Sequence, residues 1–416
     1  MAASKNPAPA PRLTAAERRA QLAELAARRF QEFGYHHVSL ADVAADAGVT
    51  APAVYRHFRN KQDLLAGAIS SGLDAVEAVL ARTADDALED VVSAIAELIE
   101  DRRYLWNLLQ REARFLDPQP RSSIEAQLDR ITDEFVRHLK LRRPKLAPDE
   151  ARLLVTAATS ALASPSLPRS APRWLVTRAL ASAAMAVLLA TLPDKAEAPD
   201  AASIAESTDP KTTDNRRTRL VDTAIDLFFR RGYAGVSLDD IGAAIGIAGP
   251  SIYHHFTTKA DILVAAFARA TDRLADQHTR RSNGQRTPSL AELVGIYTDF
   301  CLHNRQLVGI YVWETMNLPP DAQRRIRTAL RARVSEWSVA LQAENHTVDQ
   351  PTARVRVHAA LTVIDDMVRL GHLHQRPRIA AEIRKLAIAA LTADPDAWLN
   401  GLTDDHRPGQ DRRRLR

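Results

Sequence analysis

A chain of 416 residues is longer than one hydrophobic core usually serves, and only 15 glycines beside abundant Ala, Leu and Arg favour packed helices over sheets. The single cysteine, Cys301, excludes an intrachain disulfide and any cysteine-based zinc site. A net charge of +5 is too small to argue by itself for a polyanionic partner, so local placement must carry that question.

Residues 1–13 read as a flexible, mildly basic arm without the apolar core of a secretory signal. Thr14-Ala15-Ala16-Glu17 is a capping box, and Leu22, Leu25, Ala26, Phe30 and Phe33 follow at helical spacing until Gly34. Ser39 caps a second helix, Leu40 to Ala47, with Leu40, Val43, Ala44 and Ala47 on one face. Gly48 ends it; Thr50 is placed to cap a third short helix running to Phe58, where Pro52 is tolerated in the first turn. Two short helices around a tight glycine turn are a helix-turn-helix, whose second member can lie in a DNA major groove. A fourth helix begins near Lys61.

The same passage recurs. From Arg18 to Ala68 the chain matches Arg216 to Ala266 without a gap, and about two-fifths of the pairs are identical, which chance does not produce over such a span. Asp214 or Asn215 opens the second copy, Ser237 caps its second helix, Lys259 replaces Lys61, and Ala248 stands where Thr50 was.

The layout that follows is a first head over 14–72 with its helix-turn-helix at about 39–58, a helical body over 73–192, and a polar linker over 193–213. A second head spans 214–270 with its helix-turn-helix at about 237–256, then a second body 271–400 and a basic tail 401–416. In the first body, helices are expected over Asp86–Leu116 (one long or two joined), Arg121–Leu141, Ala147–Ala163 and Pro172–Leu192. In the second they are expected over Ala260–Arg281, Ser289–Leu318, Asp321–Glu344, Thr352–Leu373 and Arg378–Leu391. The longest apolar run, Ala179–Leu192, is too short and too rich in Ala and Ser to span a bilayer, so a buried helix is expected. The spacing of Ala179, Ala183, Ala186 and Ala190 permits close helix packing.

Gly48-Val-Thr-Ala-Pro-Ala-Val-Tyr-Arg-His-Phe58 with Lys61, and Gly246-Ile-Ala-Gly-Pro-Ser-Ile-Tyr-His-His-Phe256 with Lys259, resemble the recognition segment of the tetracycline-repressor (TetR/AcrR) family. The entry segments Phe30 to Ser39 and Phe228 to Ser237 fit it too. The resemblance covers about a quarter of the chain. Carrying two heads resembles the rarer tandem type of that family, and the Leu108–Leu116 and Ile247–Pro250 stretches look like those of a mycobacterial tandem repressor of a lipid-import operon. It implies an all-α fold of two TetR-like halves, each a three-helix DNA-binding head on a helical-bundle regulatory body, and a cytoplasmic regulator of transcription that binds double-stranded operator DNA. One chain would act as a pseudo-dimer, with further homodimerisation open. No cofactor, metal or membrane partner is expected, and repression is the family tendency, with activation or an architectural role as alternatives.

Within the heads, the DNA-facing candidates are Ser39, Thr50, Ala51, Pro52, Ala53, Tyr55, Arg56, His57 and Lys61, then Ser237, Gly249, Pro250, Ser251, Tyr253, His254, His255 and Lys259. The resemblance implies phosphate contacts for Tyr55 and Tyr253; His57, His255, Lys61 and Lys259 are read the same way, against the alternative of ordinary solvated side chains. Leu40, Val43, Val54 and Phe58, with Leu238, Ile241, Ile252 and Phe256, are read as core. Base reading is expected from Ala51, Ala53 and Arg56 against Gly249, Ser251 and His254. Arg56 can fork onto guanine and His254 cannot, so the heads should read different half-sites.

For a small apolar effector, Trp106, Phe115 and Trp174 in the first body and Tyr297, Phe300, Tyr311, Trp313 and Met316 in the second are available to line a cavity, with plain core packing as the alternative for each. A lipid, sterol-like or acyl molecule suits the scarcity of polar breaks in these runs. Against an enzyme, His36-His37, His254-His255 and His372-x-His374 lack a recognisable metal-ligand spacing, no phosphate-cradling glycine loop or nucleophile elbow occurs, and Asp365-Asp366 reads as a plain helix face.

Overall fold

A computed structural model of the chain describes residues 13–164, 171–193, 216–247, 249–282 and 288–394. Most of the arm, the linker beyond Pro193, the second opening cap at Asp214 or Asn215, Ala248 and the basic tail lie outside the described residues. Among the described residues every regular element is helical. In order they are α1 (Ala15–Phe33), α2 (Leu40–Asp46), α3 (Ala51–Tyr55), α4 (Lys61–Arg82), α5 (Leu88–Asp101), α6 (Arg103–Glu112), α7 (Pro118–Arg142), α8 (Pro148–Leu162) and α9 (Arg173–Leu189). The second half gives α10 (Arg216–Arg231), α11 (Leu238–Ala244), α12 (Gly249–Ile252), α13 (Lys259–Ser282), α14 (Leu290–His303), α15 (Arg305–Glu314), α16 (Pro320–Glu344), α17 (Gln350–Arg369) and α18 (Ile379–Leu391).

The chain falls into two compact units, one of Met1–Ala81 with Arg102–Ile131, the other of Arg82–Asp101 with Thr132–Arg416. In the first, Leu22, Phe30, Leu40, Val43, Val54 and Phe58 form one buried cluster with Leu64, Leu65 and Leu108. Leu40, Val43, Val54 and Phe58 are the residues that helical spacing assigned to the core. Helix α4 is long and apolar enough to cross a membrane, but Leu64, Leu65, Ala68, Ile69 and Leu73 along it are buried in this cluster, as in the core helix of a folded domain.

In the second unit α8 and α9 pack with α17 and α18 as a four-helix bundle. These pairs hold equivalent places in the two halves, so the halves join through corresponding surfaces. Of the small residues spaced along α9, Ala179 and Ala183 are buried and Ala186 is half-buried, Ala190 caps the helix end, and Ala181, Ala184 and Met185 are buried as well, so the helix is enclosed on more than that face. Thr362 of α17 donates to Ser164 Oγ at 3.2 Å, just past the end of α8.

The bodies are also repeats, marked far more weakly in sequence than the heads. Helices α5 and α14 have 14 residues each, α6 and α15 have 10, and α7 and α16 have 25. The expected single helix over Ser289–Leu318 is in fact α14 and α15, broken at Asn304 (φ −119°, ψ 36°). Asn304 Nδ2 donates to the Phe300 carbonyl at 2.8 Å, the side-chain competition with backbone bonding that disfavours asparagine inside helices. Its counterpart break falls at Arg102 (φ −123°, ψ 40°). Helix α17 starts earlier than Thr352 because Asp349 accepts from the Thr352 amide at 2.9 Å, and it ends at Arg369, shortly before Gly371 at φ 51°.

Candidate nucleic-acid interface

Each recognition helix is held by the same local devices. Thr14 and Ser39 form full capping boxes with Glu17 and Asp42, and Ser237 does so with Asp240. These hydrogen bonds hold the Asp42 and Asp240 carboxyls below their ordinary range. Gly48 (φ 64°) and Gly246 (φ 72°) then reverse the chain in the left-handed region that suits glycine, and the Val49 and Ile247 amides close the same bond, to the Ala44 and Gly242 carbonyls at 2.9 Å. Thr50 stands at the N-cap of α3 but makes no side-chain capping bond, which leaves its exposed hydroxyl uncommitted.

Beyond the turn, Val54 and Ile252 are fully buried, while Tyr55 (57% exposed) and Tyr253 (54%) stand out of the surface. Arg56 and His254 beside them are exposed too, as are Thr50 and Pro52; Ala51, Ala53, His57, Ser251 and His255 are half-buried. Gly249 and Pro250 open α12. Among the candidates on the third helix of each head, Tyr55 with Arg56 and Tyr253 with His254 are therefore the adjacent exposed pairs.

Ser39, Ser237, Lys61 and Lys259 are less free than the sequence implied. Both serine hydroxyls are engaged in their capping boxes. Lys61 Nζ lies 4.4 Å from the centre of the Tyr35 ring and donates to the His36 carbonyl at 3.4 Å; Lys259 Nζ donates to the Tyr233 and Val236 carbonyls, 4.2 Å from the Tyr233 ring. Burial pushes both lysines below their usual pKa, with Glu112 or Glu314 working against it. They tie the fourth helix of each head to the turn after the first.

Sequence reasoning missed Arg19 and Arg217. Arg19 donates to the His57 carbonyl with its guanidinium 4.1 Å from the centre of the Phe58 ring, and Arg217 donates to the His255 carbonyl at 2.5 Å, 4.0 Å from Phe256. The signal was present, since these arginines are an identical pair in the repeat. Glu112 and Glu314, both buried at the ends of equivalent helices, were missed as well; Glu314 accepts from the Tyr233 amide at 3.0 Å and so links second head to second body.

Of the cavity candidates, Tyr297, Phe300 and Tyr311 line one cavity in the second body. Trp313 instead stacks on Phe229 (5.3 Å between ring centres), and Met316 is 41% exposed. In the first half, Phe115 stacks on Tyr35 at 5.8 Å, Trp106 is half-buried, and Trp174 is 64% exposed on α9. The aspartate pair divides: Asp366 is buried and paired with Arg369, whereas Asp365 reaches that cavity rather than a plain helix face.

Two matching helix-turn-helix heads, each followed by a helical body, are the arrangement of a DNA-binding domain carried twice. The model for bacterial regulatory proteins of the tetR family matches residues 22–68 and again 220–266. The chain thus carries the DNA-binding domain of that family twice, in tandem.

It is 29% identical over 121 residues to the transcriptional activator FasR of Mycolicibacterium smegmatis, covering 29% of this chain and 55% of FasR. It is 32% identical over 112 residues to the transcriptional repressor KstR2 of Mycobacterium tuberculosis, covering 26% and 56%. The chain spans about half the length of the curated relatives it matches. Among solved structures, a TetR-family regulator from Bordetella parapertussis is 17% identical with a TM-score of 0.40, over 44% of this chain and 98% of that one. The ketosteroid regulator KstR2 is 25% identical with a TM-score of 0.34, over 41% and 93%.

Proposed function

We propose that this protein is a cytoplasmic repressor that sets two unequal heads on a non-palindromic operator in duplex DNA and releases it when a small apolar effector enters a body. The observation that carries the reading is the contrast at one exposed position: Arg56 in the first head, His254 in the second, on helices whose preceding capping boxes, glycine turns and arginine tethers are alike. Arginine can fork onto guanine O6 and N7, worth about 1–3 kcal/mol of discrimination; histidine has no such fork.

In this reading the retained Tyr55, His57, Tyr253 and His255 grip phosphates together with the Thr50 hydroxyl. Ala51, Pro52, Ala53 and Arg56 face bases on one half-site, and Gly249, Pro250, Ser251 and His254 face the other. Ser39, Ser237, Lys61 and Lys259 act mainly by holding the heads in shape. One chain serves as a pseudo-dimer through the bundle of α8, α9, α17 and α18. The heads (14–72 and 214–270) act as readers and the bodies (73–192 and 271–400) as sensors, with no turnover chemistry.

Footprinting with a measured stoichiometry tests this: one chain should protect two dissimilar half-sites. A perfect palindrome occupied by two chains through a single type of head would overturn it. Because the relatives include an activator as well as a repressor, activation is the second reading. Deleting the gene should raise transcription of adjacent genes if it represses and lower it if it activates.

A further inference from the structure

The cavity in the second body lies among α13, α14, α15, α16 and α17. Its walls are apolar, with Phe267, Leu274, Phe300, Val308 and Leu330 among them, but one region is not. There Arg333 of α16 and Asp365 of α17 line the same space as Tyr297 of α14. Arg333 lies with its guanidinium carbon 4.7 Å from the centre of the Tyr297 ring, and among the described residues it has no hydrogen-bond acceptor and no carboxylate within ion-pair distance. Asp365 takes the Tyr297 hydroxyl at 2.9 Å and the Cys301 thiol at 3.7 Å, both on Oδ1; Oδ2 has no partner among the described residues.

Arg333 is half-buried, so its guanidinium, with no protein acceptor among the described residues, relies on solvent in the cavity for its hydrogen bonds and is open to a ligand that supplies them. It presents five donors in a planar fork that matches a carboxylate. Asp365 does not use that fork, although both groups border one cavity. Resting on the effector reading above, we propose that this cavity binds a slender amphiphile bearing one carboxylate, its oxygens on the Arg333 guanidinium and its tail along Phe267, Phe300 and Leu330. Asp365 takes a proton from solvent as the ligand enters, so that one negative charge replaces another beside Arg333.

The sign of the charge follows from which group can yield. Arginine stays protonated, whereas burial has already pushed the Asp365 carboxyl up to about 6, so neutralising it near pH 7 is cheap. The groups facing Asp365 are Tyr297 and Cys301 from α14, Tyr311 from α15 and Arg333 from α16, with Asp366 and Arg369 on its own helix. A cationic ligand would have to sit beside Arg333 with no comparable way to remove that charge. The cavity volume of about 60 Å³ is less than half of the roughly 150 Å³ that takes up a benzene ring, so a rigid polycycle is excluded and a slender chain enters only as the surrounding side chains move apart.

The test is calorimetry on the full chain with octanoate, octanol and octylamine below their aggregation limits, in buffers of different ionisation enthalpy. Octanoate should bind at least tenfold more tightly than the other two, take up a proton, and weaken as pH rises from 6 to 8. Arg333→Gln should lose at least tenfold in octanoate affinity, and Asp365→Asn should keep octanoate binding but lose its pH slope. Phe300→Trp, which fills the cavity with an apolar ring, should block octanoate while melting stays near that of the parent, which separates loss of the site from loss of fold. Tighter binding of octylamine, or unchanged octanoate binding in Arg333→Gln, overturns the proposal. DNA titrations separate the two readings: octanoate bound without loosening DNA overturns the effector role alone, and DNA bound with no octanoate uptake overturns the carboxylate site alone.

Discussion

Arg217 reaches from α10 to the far end of the recognition helix, where it donates to the His255 carbonyl at 2.5 Å and covers the Phe256 ring at 4.0 Å. Arg19 makes the same connection to His57 and Phe58. The exposed tyrosine and its neighbour lie just before this anchored carbonyl in each head, so the tether fixes the exit of the helix meant to enter DNA.

Replacing Arg217 by Met should remove both the charged hydrogen bond and the cation–π contact and lower the stability of the second head by about 1 kcal/mol. Arg217→Lys should fall between, because an ammonium keeps the charge but not the planar stack. Thermal melts of the full chain check the first effect and DNA titration the second. A drop in DNA affinity with an unchanged melt would show that Arg217 touches DNA instead of serving the fold.

Gly72 marks a close approach in the first unit. A Cβ added there would lie 2.7 Å from Leu105 Cγ, closer than real contacts allow. Gly72→Ala should cost about 1–3 kcal/mol by overpacking. Combined with Leu105→Ala, part of that cost should be recovered, giving a non-additive cycle in denaturant unfolding. Strict additivity would mean that the helices separate rather than clash.

How far the sequence could be read depended on how local the determining physics was. Capping boxes at Thr14, Ser39 and Ser237 and the glycine turns at Gly48 and Gly246 depend on a few adjacent residues, and they were legible with the head core of Val54, Phe58, Ile252 and Phe256. The repeat within the bodies was obscured because a buried face constrains size and polarity more than identity; scattered identical pairs such as Leu88 and Leu290, Leu105 and Leu307, Glu112 and Glu314, and Pro118 and Pro320 keep it faintly visible. The polar part of the cavity was illegible for another reason. Tyr297, Arg333 and Asp365 come from three helices, and no spacing along the chain reports that they converge. Lys61 and Lys259 were visible as basic residues at helix starts, but their carbonyl partners in the preceding turn were not.

His358 should make the joined halves sensitive to acid. It is 8% exposed on α17, one turn before Thr362, and burial with the like charge of Arg354 pushes its pKa down to about 4. An unfolded histidine titrates near 6.5, so the neutral form is favoured by folding: this stability is complete above about 6.5, declines as pH falls, and is gone near 4. The full amplitude is on the order of 3 kcal/mol. Asp365 works oppositely, since its raised pKa gives stability at low pH that is lost as pH rises from about 4 to about 6. Relative to the parent, His358→Gln should therefore gain stability on acidification from pH 6 to 4, and Asp365→Asn should lose it. Chemical denaturation at several pH values checks both signs.

The last expectation concerns the two heads as readers. If Arg56 forks onto a guanine, Arg56→Ala should weaken binding to the natural operator about 5- to 150-fold, relax the preference at a single position, and leave the other half-site's preferences untouched. His254→Ala should act only on that other half. Tyr55→Phe and Tyr253→Phe, by contrast, should weaken binding to all sequences alike, because a phosphate carries no base identity. Affinity selection from a randomised duplex, run on the parent and each variant at one fixed salt concentration, separates these cases. Salt must be held constant because the phosphate contribution is itself strongly salt-dependent. Relaxation at symmetric positions of a palindrome by both Arg56→Ala and His254→Ala would mean that the heads read the same sequence, and that the difference between arginine and histidine has no role in recognition.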